Sequence, residues 1–513
     1  VRLPFPEHIP LRYAGYFAIL LWAAQYLQGT SPAFSLCCFF FILVATLAFN
    51  LAGGLSRCSG VYIFFYSVNA IILGLFWKAV LGEPADSNLT NPLLTIEAEL
   101  GGIVAMWGAV FISRRFTREP AFLDNMIPER KMLHASIGCA ITGTVLTAML
   151  WFIPYKGGSI LSSLAQLNHF FEISILLGVI YQIRKSGGTS SVNLTVLIVG
   201  CISFAAGVVG FSKQGMFTPP ACWLIAAASQ RYKVSFAQIV SFILAATFTI
   251  YYLVPYSQHG RNYMTESRLE NIGISISMLS DLGYVRQQYL LETQFSVENR
   301  VQGYFDTGQG LVDRLVMLSL DDAIIDVTED KGPLGLAPIV IQFENLVPHF
   351  LWPDKPTVNF GNLYAHEVGM VGSDDFSTGV SFSPIGEAFR VGRWMGIFLV
   401  APVIWIMLFT LYDSLCGDIR RNVWGLLGGL LLAHMAPNGL LGGIIYMLGY
   451  GTAAIVFMAL TASYLMPVLG GFFVGRESID LRRVGRVRSI PRRLPSISPI
   501  RASQSSTGNP PAV

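Results

Sequence analysis

The chain has 513 residues, of which 53% are hydrophobic and only 13% charged, with a mean hydropathy of +0.54. Soluble domains average about 25% charged residues, so a soluble globular protein is excluded, and a net charge of +3 gives no general basic character for a nucleic acid to read. The seven cysteines lie in or beside apolar runs, which excludes a secreted disulfide scaffold.

The apolar runs approach the roughly 20 residues that a helix needs to cross about 30 Å of hydrocarbon. In chain order they cover 13–28, 33–53, 60–81, 98–113, 133–153, 166–183, 192–211, 214–229, 236–254, 394–411, 423–441 and 443–466. No small-residue cleavage site follows the first, so it reads as a span and not as a signal peptide. Pro219 and Pro220 interrupt the eighth, and Pro437 with Gly439 separates the last two. The predicted fold is an all-α polytopic membrane protein of about twelve transmembrane helices.

Lys and Arg set its orientation. Alternate connections and the C-terminal stretch hold 22 of them, whereas the short connections on the opposite side hold only Lys78, Lys156 and Lys213. That asymmetry predicts cytoplasmic termini and an inner-membrane, multi-pass protein. Four regions follow: a bundle over 1–254, a periplasmic segment over 255–393, a second membrane block over 394–466, and a basic tail over 467–513 expected to be disordered. The periplasmic segment carries 9 basic and 18 acidic residues. Its spacing predicts helices over 267–292 and 298–330, then Gly- and Pro-rich ordered loops over 332–393. Aromatic residues such as Phe343, Trp352 and Phe382 predict that it folds against the bundle.

Ionisable groups in or at the edge of a span are costly and mark candidate sites. Lys213, in GFSKQG at the outer surface, is either a snorkelling lysine or a phosphate contact. His169 and Glu172, three apart, can pair with each other or line a polar cavity, while His134 and His434 read as span-end residues. In the outer segment Arg300 and Arg314 have acidic neighbours and are either salt-bridged or functional. VPHFLWPDKP holds His349, Asp354 and Lys355 among three prolines, whose fixed φ displays them rigidly. His366 and Glu367 follow, and then Glu387, Arg390 and Arg393 just before the tenth run; Glu387 and Arg390 can form an i,i+3 salt bridge.

No Gly-rich phosphate loop, zinc-type His and Cys spacing or Gly-x-Ser-x-Gly elbow is present. Asp321 with Asp322, and Asp374 with Asp375, are paired acids of a kind that can hold a divalent metal; no metal or other cofactor is expected.

The large outer segment with VPHFLWPDKP, the following IGEAFRVGRWMG, the stretch GGSILSSLAQLNHFFEISILLGVI and GFSKQGMF together resemble the bacterial Wzy-type oligosaccharide repeat-unit polymerases, over roughly residues 150–400. The resemblance implies a GT-C-like polymerase or ligase architecture and an inverting, metal-independent glycosyltransferase. Such an enzyme polymerises undecaprenyl-diphosphate-linked repeat units at the periplasmic face, with the bilayer and a chain-length regulator as its partners and no nucleic acid. A flippase or other transporter of lipid-linked glycans, or an O-antigen-type ligase, is the alternative; two similar halves, the signature of many transporters, are not visible. The chemistry asks for cations on the departing diphosphate and for a base at the acceptor hydroxyl. Lys213, Arg300, Lys355, Arg390 and Arg314 are the candidate cations, and Glu387, His366 and Asp354, in that order, the candidate bases.

Overall fold

The computed structural model describes residues 1–153, 159–265, 267–296, 303–349, 351–376 and 378–474. Arg300, Lys156 and the C-terminal Arg476–Val513 lie outside the described residues. No strand forms among the described residues; one isolated antiparallel bridge joins Arg2 to Lys233.

The helices in chain order are α1 (Leu11–Leu27), α2 (Pro32–Ala52), α3 (Cys58–Leu81), α4 (Pro92–Phe116), α5 (Glu129–Phe152), α6 (Phe170–Lys185), α7 (Leu194–Val209), α8 (Lys213–Ser229) and α9 (Phe236–Tyr263). The outer segment supplies α10 (Arg268–Ser280), α11 (Leu282–Ser296), α12 (Leu311–Leu315), α13 (Leu318–Lys331), α14 (Ala337–Glu344) and α15 (Phe360–Glu367). Three long helices close the described chain: α16 (Pro384–Cys416), α17 (Val423–Asn438) and α18 (Leu440–Phe473).

A helix lies over every predicted run, and eight of them, with α6 counted from Leu164, are long and apolar enough to cross a membrane, which is the architecture of a multi-pass membrane protein. The other four, α1, α7, α8 and α17, have 16 or 17 residues. At 1.5 Å per residue they reach roughly 24–26 Å.

Helix starts follow local chemistry. Pro stands at the beginning of α2, α4 and α16, where its missing N–H costs nothing. Ser235 and Gln238 form a capping box on α9, and the Asn422 side chain accepts from Trp424 and Gly425 to open α17. Where α5 crosses α18 the backbones nearly touch: a Cβ on Gly138 would meet the Met466 carbonyl at 2.1 Å, and one on Gly470 the His134 carbonyl at 2.0 Å. Small residues allow such close crossings in lipid, where dispersion and not hydrophobicity drives association.

Polar contacts join the connections to one another. Arg57 pairs with Glu119, Arg184 with Glu129, and Arg420 with Glu7 and Asp418. Ser31 N donates to Asp86, and Lys78 Nζ is wholly buried, bonded to Pro84 O, Ser87 O and Ser87 Oγ, and 4.4 Å from the ring centroid of Tyr304. The outer segment belongs to the same compact unit as the bundle.

Several boundaries differ from the sequence reading. The expected 267–292 helix is two helices broken at Asp281. Instead of one helix over 298–330, α12 and α13 follow a turn at Gly308–Gly310 in which Gly310 takes φ +64° and Asp313 Oδ2 accepts from Gln309 N. The expected loops over 332–393 contain α14 and α15, and α16 begins at Pro384, ten residues before the predicted 394, because Ser383 Oγ accepts from Ile385 N and Gly386 N. That early start is interrupted at Gly392 and Arg393, the latter at φ +50°, where Arg393 is paired to Glu329 at 3.1 Å. Residues 467–473, assigned to the tail, continue α18.

Candidate functional site

Glu387 lies in the first turn of α16 and is fully buried. Its carboxylate accepts from Gln342 Nε2 at 2.7 Å and Tyr364 OH at 3.1 Å, and from the backbone N–H groups of Leu441 at 2.5 Å and Gly442 at 3.4 Å. The last two are orphan donors at the start of α18, created by the break at Gly439 and Leu440, where Leu440 takes φ +57°. A carboxylate there satisfies them and complements the helix dipole. Burial and the adjacent Glu387 carboxylate push the Tyr364 phenol up, which keeps it a donor. With both oxygens engaged and no solvent contact, Glu387 holds α14, α15, α16 and α18 together; it does not present a base to a substrate.

Arg390, one turn on and 2% exposed, forms a fork with Glu367, Nε to Oε2 and Nη2 to Oε1 both at 3.0 Å, and its Nη1 donates to Gly332 O. The expected Glu387–Arg390 pair is therefore absent. Glu367 takes the guanidinium because its two oxygens match the Nε–Nη2 edge of the planar group, and the buried Arg390 offers no exposed edge to a phosphate.

Lys355 Nζ donates to Asn345 O at 2.9 Å and Val347 O at 2.6 Å, closing the Pro-rich loop, and partial burial lowers its pKa. It is a loop fastener and not a displayed cation. His366 Nε2 bonds Asp375 O at 2.9 Å, and the ring is half-buried beside Phe376. Since the carbonyl accepts, Nε2 carries the hydrogen and Nδ1 the lone pair. Asp354 is exposed on the Pro-rich turn and His349 is half-buried. The backbone of Arg314 lies in α12, but its side chain is outside the described residues.

The paired acids diverge. Asp322 accepts from Thr90 N, Asn91 N and Thr95 Oγ1, capping α4, whereas Asp321 turns to Ser383 N at 3.1 Å. Asp375 accepts from Thr378 N through Oδ1. Among the described residues no three His, Cys, Asp or Glu side chains converge as metal ligands. His169 Nδ1 and Glu172 Oε1 face one another at 3.5 Å, an ion-pair separation that leaves Nδ1 without a hydrogen-bond partner, with His169 just ahead of α6 and not within it. His134 is half-buried where α5 meets α18, and His434 is exposed on α17.

Lys213 stands apart from this cluster, as the first residue of α8, where Ser212 Oγ accepts from Gly215 N at 3.1 Å. The corner before it is fixed by Phe211 O, which accepts from Ser257 Oγ at 2.6 Å and Arg261 Nε at 3.2 Å. Arg261 is a cation that the sequence analysis passed over, since nothing around it in HGRNY marks it. One helical turn below Lys213 begins an apolar cleft of about 590 Å³, walled by Val208, Met216, Pro220, Phe242, Ala246 and Leu279. It is open because no residue of Phe236–Phe248 is buried: this half of α9 stands off from the bundle.

A second cleft, of about 360 Å³ and polar, lies at the outer end between Asn88, Thr90, Ser319, Asp322, Asp326 and Glu367. It borders the Glu367–Arg390 fork. These are two separate clefts: an apolar groove that begins one turn below Lys213, and a polar recess of hydroxyl, amide and carboxylate groups. Comparison of the chain with family models, with curated proteins and with solved structures finds no match.

Proposed function

We propose that this chain is a membrane glycosyltransferase that polymerises undecaprenyl-diphosphate-linked oligosaccharide repeat units at the periplasmic face of the inner membrane, on a bundle of twelve spans with both termini cytoplasmic. The observation that carries the reading is the apolar cleft of about 590 Å³ between α7, α8 and α9, which ends one turn below Lys213. A lipid tail lying in that cleft brings its diphosphate to the start of α8, where Lys213, the helix N-terminus and Arg261 supply positive charge. The polar recess beside Glu367 suits sugar hydroxyls, and the charge asymmetry of the connections supports the orientation.

In this reading the acceptor hydroxyl attacks the donor's anomeric carbon, the bond from that carbon to the diphosphate oxygen breaks, and the configuration inverts. The departing diphosphate takes the electron pair beside Lys213 and Arg261. The hydroxyl proton passes to a base, for which His366 replaces Glu387 as first choice because its Nδ1 is basic and its ring reachable. Neither ATP nor a nucleotide sugar is needed, since the diphosphate already activates the donor, and the reaction is metal-independent.

The test is the purified protein in lipid nanodiscs with a lipid-linked repeat unit. A ladder of longer lipid-linked glycans, with released lipid diphosphate, is the expected result. Movement of intact lipid-linked glycan across liposomes without bond formation means a transporter, and transfer only to a different lipid acceptor means a ligase.

A further inference from the structure

The helix α10 (Arg268–Ser280) belongs to the segment that charge counting assigns to the aqueous periplasm, yet it carries an apolar stripe on an exposed side. Toward the protein it turns Asn271 and Ser275, 0% and 2% exposed, with Asn271 bonded to Thr265 through both its amide groups, beside the half-buried Ile274 and Met278, which pack on the Phe211–Tyr256 cluster. Outward it shows Leu269, 66% exposed, Ile276, 64% exposed, and Leu279, with the half-buried Ile272 between them. Positions 269, 272, 276 and 279 fall on one helical face. From Asn271 to Ser280 there is no charged residue. A helix in water keeps its apolar residues on the core side; this one packs Ile274 and Met278 there and leaves a second apolar stripe outside.

We infer that α10 lies in the outer leaflet of the bilayer as an interfacial helix, its Leu269–Ile272–Ile276–Leu279 face among the lipid chains. Its 13 residues extend about 20 Å, too short to cross and suited to the interface plane. Two observations select lipid as the occupant of this face. Leu279 belongs both to the outward stripe and to the wall of the apolar cleft whose other walls are α8 and the lipid-facing half of α9, so the stripe continues a membrane-exposed surface. Exposed Tyr263 and Tyr284 flank the helix, with Tyr251 carrying the Arg286 guanidinium 3.7 Å from its ring centroid, the amphipathic aromatic and cationic groups found at headgroup level. The helix also packs on α7. In this position α10 forms the outer rim of the cleft and separates it from water. The inference depends only on the membrane architecture and not on the enzymatic reading.

The test uses the full chain in nanodiscs, in a Cys37→Ser, Cys201→Ser background, with an environment-sensitive fluorophore on Ile276→Cys or Leu269→Cys. Asp330→Cys on α13 serves as the water-facing control. Blue-shifted emission at 276 and 269, quenched several-fold more by brominated acyl chains than by iodide, with the opposite order at 330, is the expected result. Iodide quenching at 276 and 269 equal to that at 330 overturns the inference. So does shielding from both quenchers, whether or not Ile276→Cys also cross-links two chains, because the face is then covered by protein. The two labelled positions serve as independent readouts should one variant fail to fold.

Discussion

Glu99 of α4 and Asp321 of α13 are fully buried neighbours, and Glu99 Oε1 and Asp321 Oδ2 are left without a hydrogen-bond partner among the described residues. Glu99 also accepts from Tyr66 OH, and Asp321 from Ser383 N. The groups facing the pair are Tyr66, Ser383 and the neighbouring Asp322; none brings positive charge. Two carboxyl groups buried together with no cation beside them favour holding a proton, and Gly386 makes room for the Asp321 carboxyl, since a Cβ there would meet its Oδ1 at 2.2 Å.

This pair makes the attachment of α13 pH-dependent. Burial raises the Asp321 carboxyl to about 6, above an ordinary value of roughly 3.9. The folded state therefore holds the proton more tightly than the unfolded chain, and the stabilisation is complete below about pH 4 and lost as pH rises through 6. Thermal unfolding from pH 4 to 8 should show the midpoint falling across that window, with Asp321→Asn flattening the fall. A wild-type midpoint that rises between pH 4 and 6 contradicts the raised Asp321 carboxyl.

Glu387→Ala should destabilise the fold by about 3 kcal/mol or more, because it leaves Gln342, Tyr364 and two backbone donors of α18 buried without an acceptor. Glu387→Gln should cost less, as it keeps one acceptor oxygen. Denaturation curves on the purified variants decide the point. If Glu387→Ala unfolds like the wild type while losing all activity, the carboxylate is a base after all.

The Arg390–Glu367 fork predicts strong coupling. Arg390→Ala strands Glu367, and breaking a buried pair in this way costs roughly 3–5 kcal/mol; removing both partners should cost much less than the sum of the single changes. A double-mutant cycle on unfolding measures the coupling, and additive effects would show that the fork contributes nothing beyond its two parts.

On the proposed reaction, Lys213→Ala should reduce the rate about a hundredfold to a thousandfold, the usual cost of one oriented charge contact to a developing anion. Lys355→Ala should act mainly through loop order, with a smaller effect. Product ladders in excess chelator, compared with magnesium-supplemented reactions, test the metal-independent reaction: activity lost in chelator and restored by magnesium would rule it out.

The sequence was most readable where one period governs a whole element. Apolar runs marked the positions of α1 to α9 and of α16 to α18, since burial in lipid demands about 20 apolar residues wherever the chain crosses. The site was less readable because its partners are distant along the chain. Spacing joined Glu387 to Arg390, but the carboxylate binds Leu441, 54 residues away, and the guanidinium binds Glu367, 23 residues away. Asp321 and Asp322 looked like a metal pair because they are adjacent. On a helix adjacent side chains diverge by about 100°, so one serves α16 and the other α4. The Pro-rich loop was read as displaying Lys355, whereas Lys355 Nζ turns back to the carbonyls of Asn345 and Val347 just ahead of it.

The contact between Glu387 and the start of α18 also bears on how the molecule is made. Synthesis runs from the N-terminus, so Glu387 emerges before the backbone donors of Leu441 and Gly442 exist. Until α18 is inserted, α14, α15 and the first turns of α16 lack the partner that completes their shared hydrogen-bond hub. A nascent chain ending before Leu440 should therefore expose residues 337–367 to protease, and a chain extended through Phe473 should protect them. Maturation of the outer surface thus waits on the final membrane insertion.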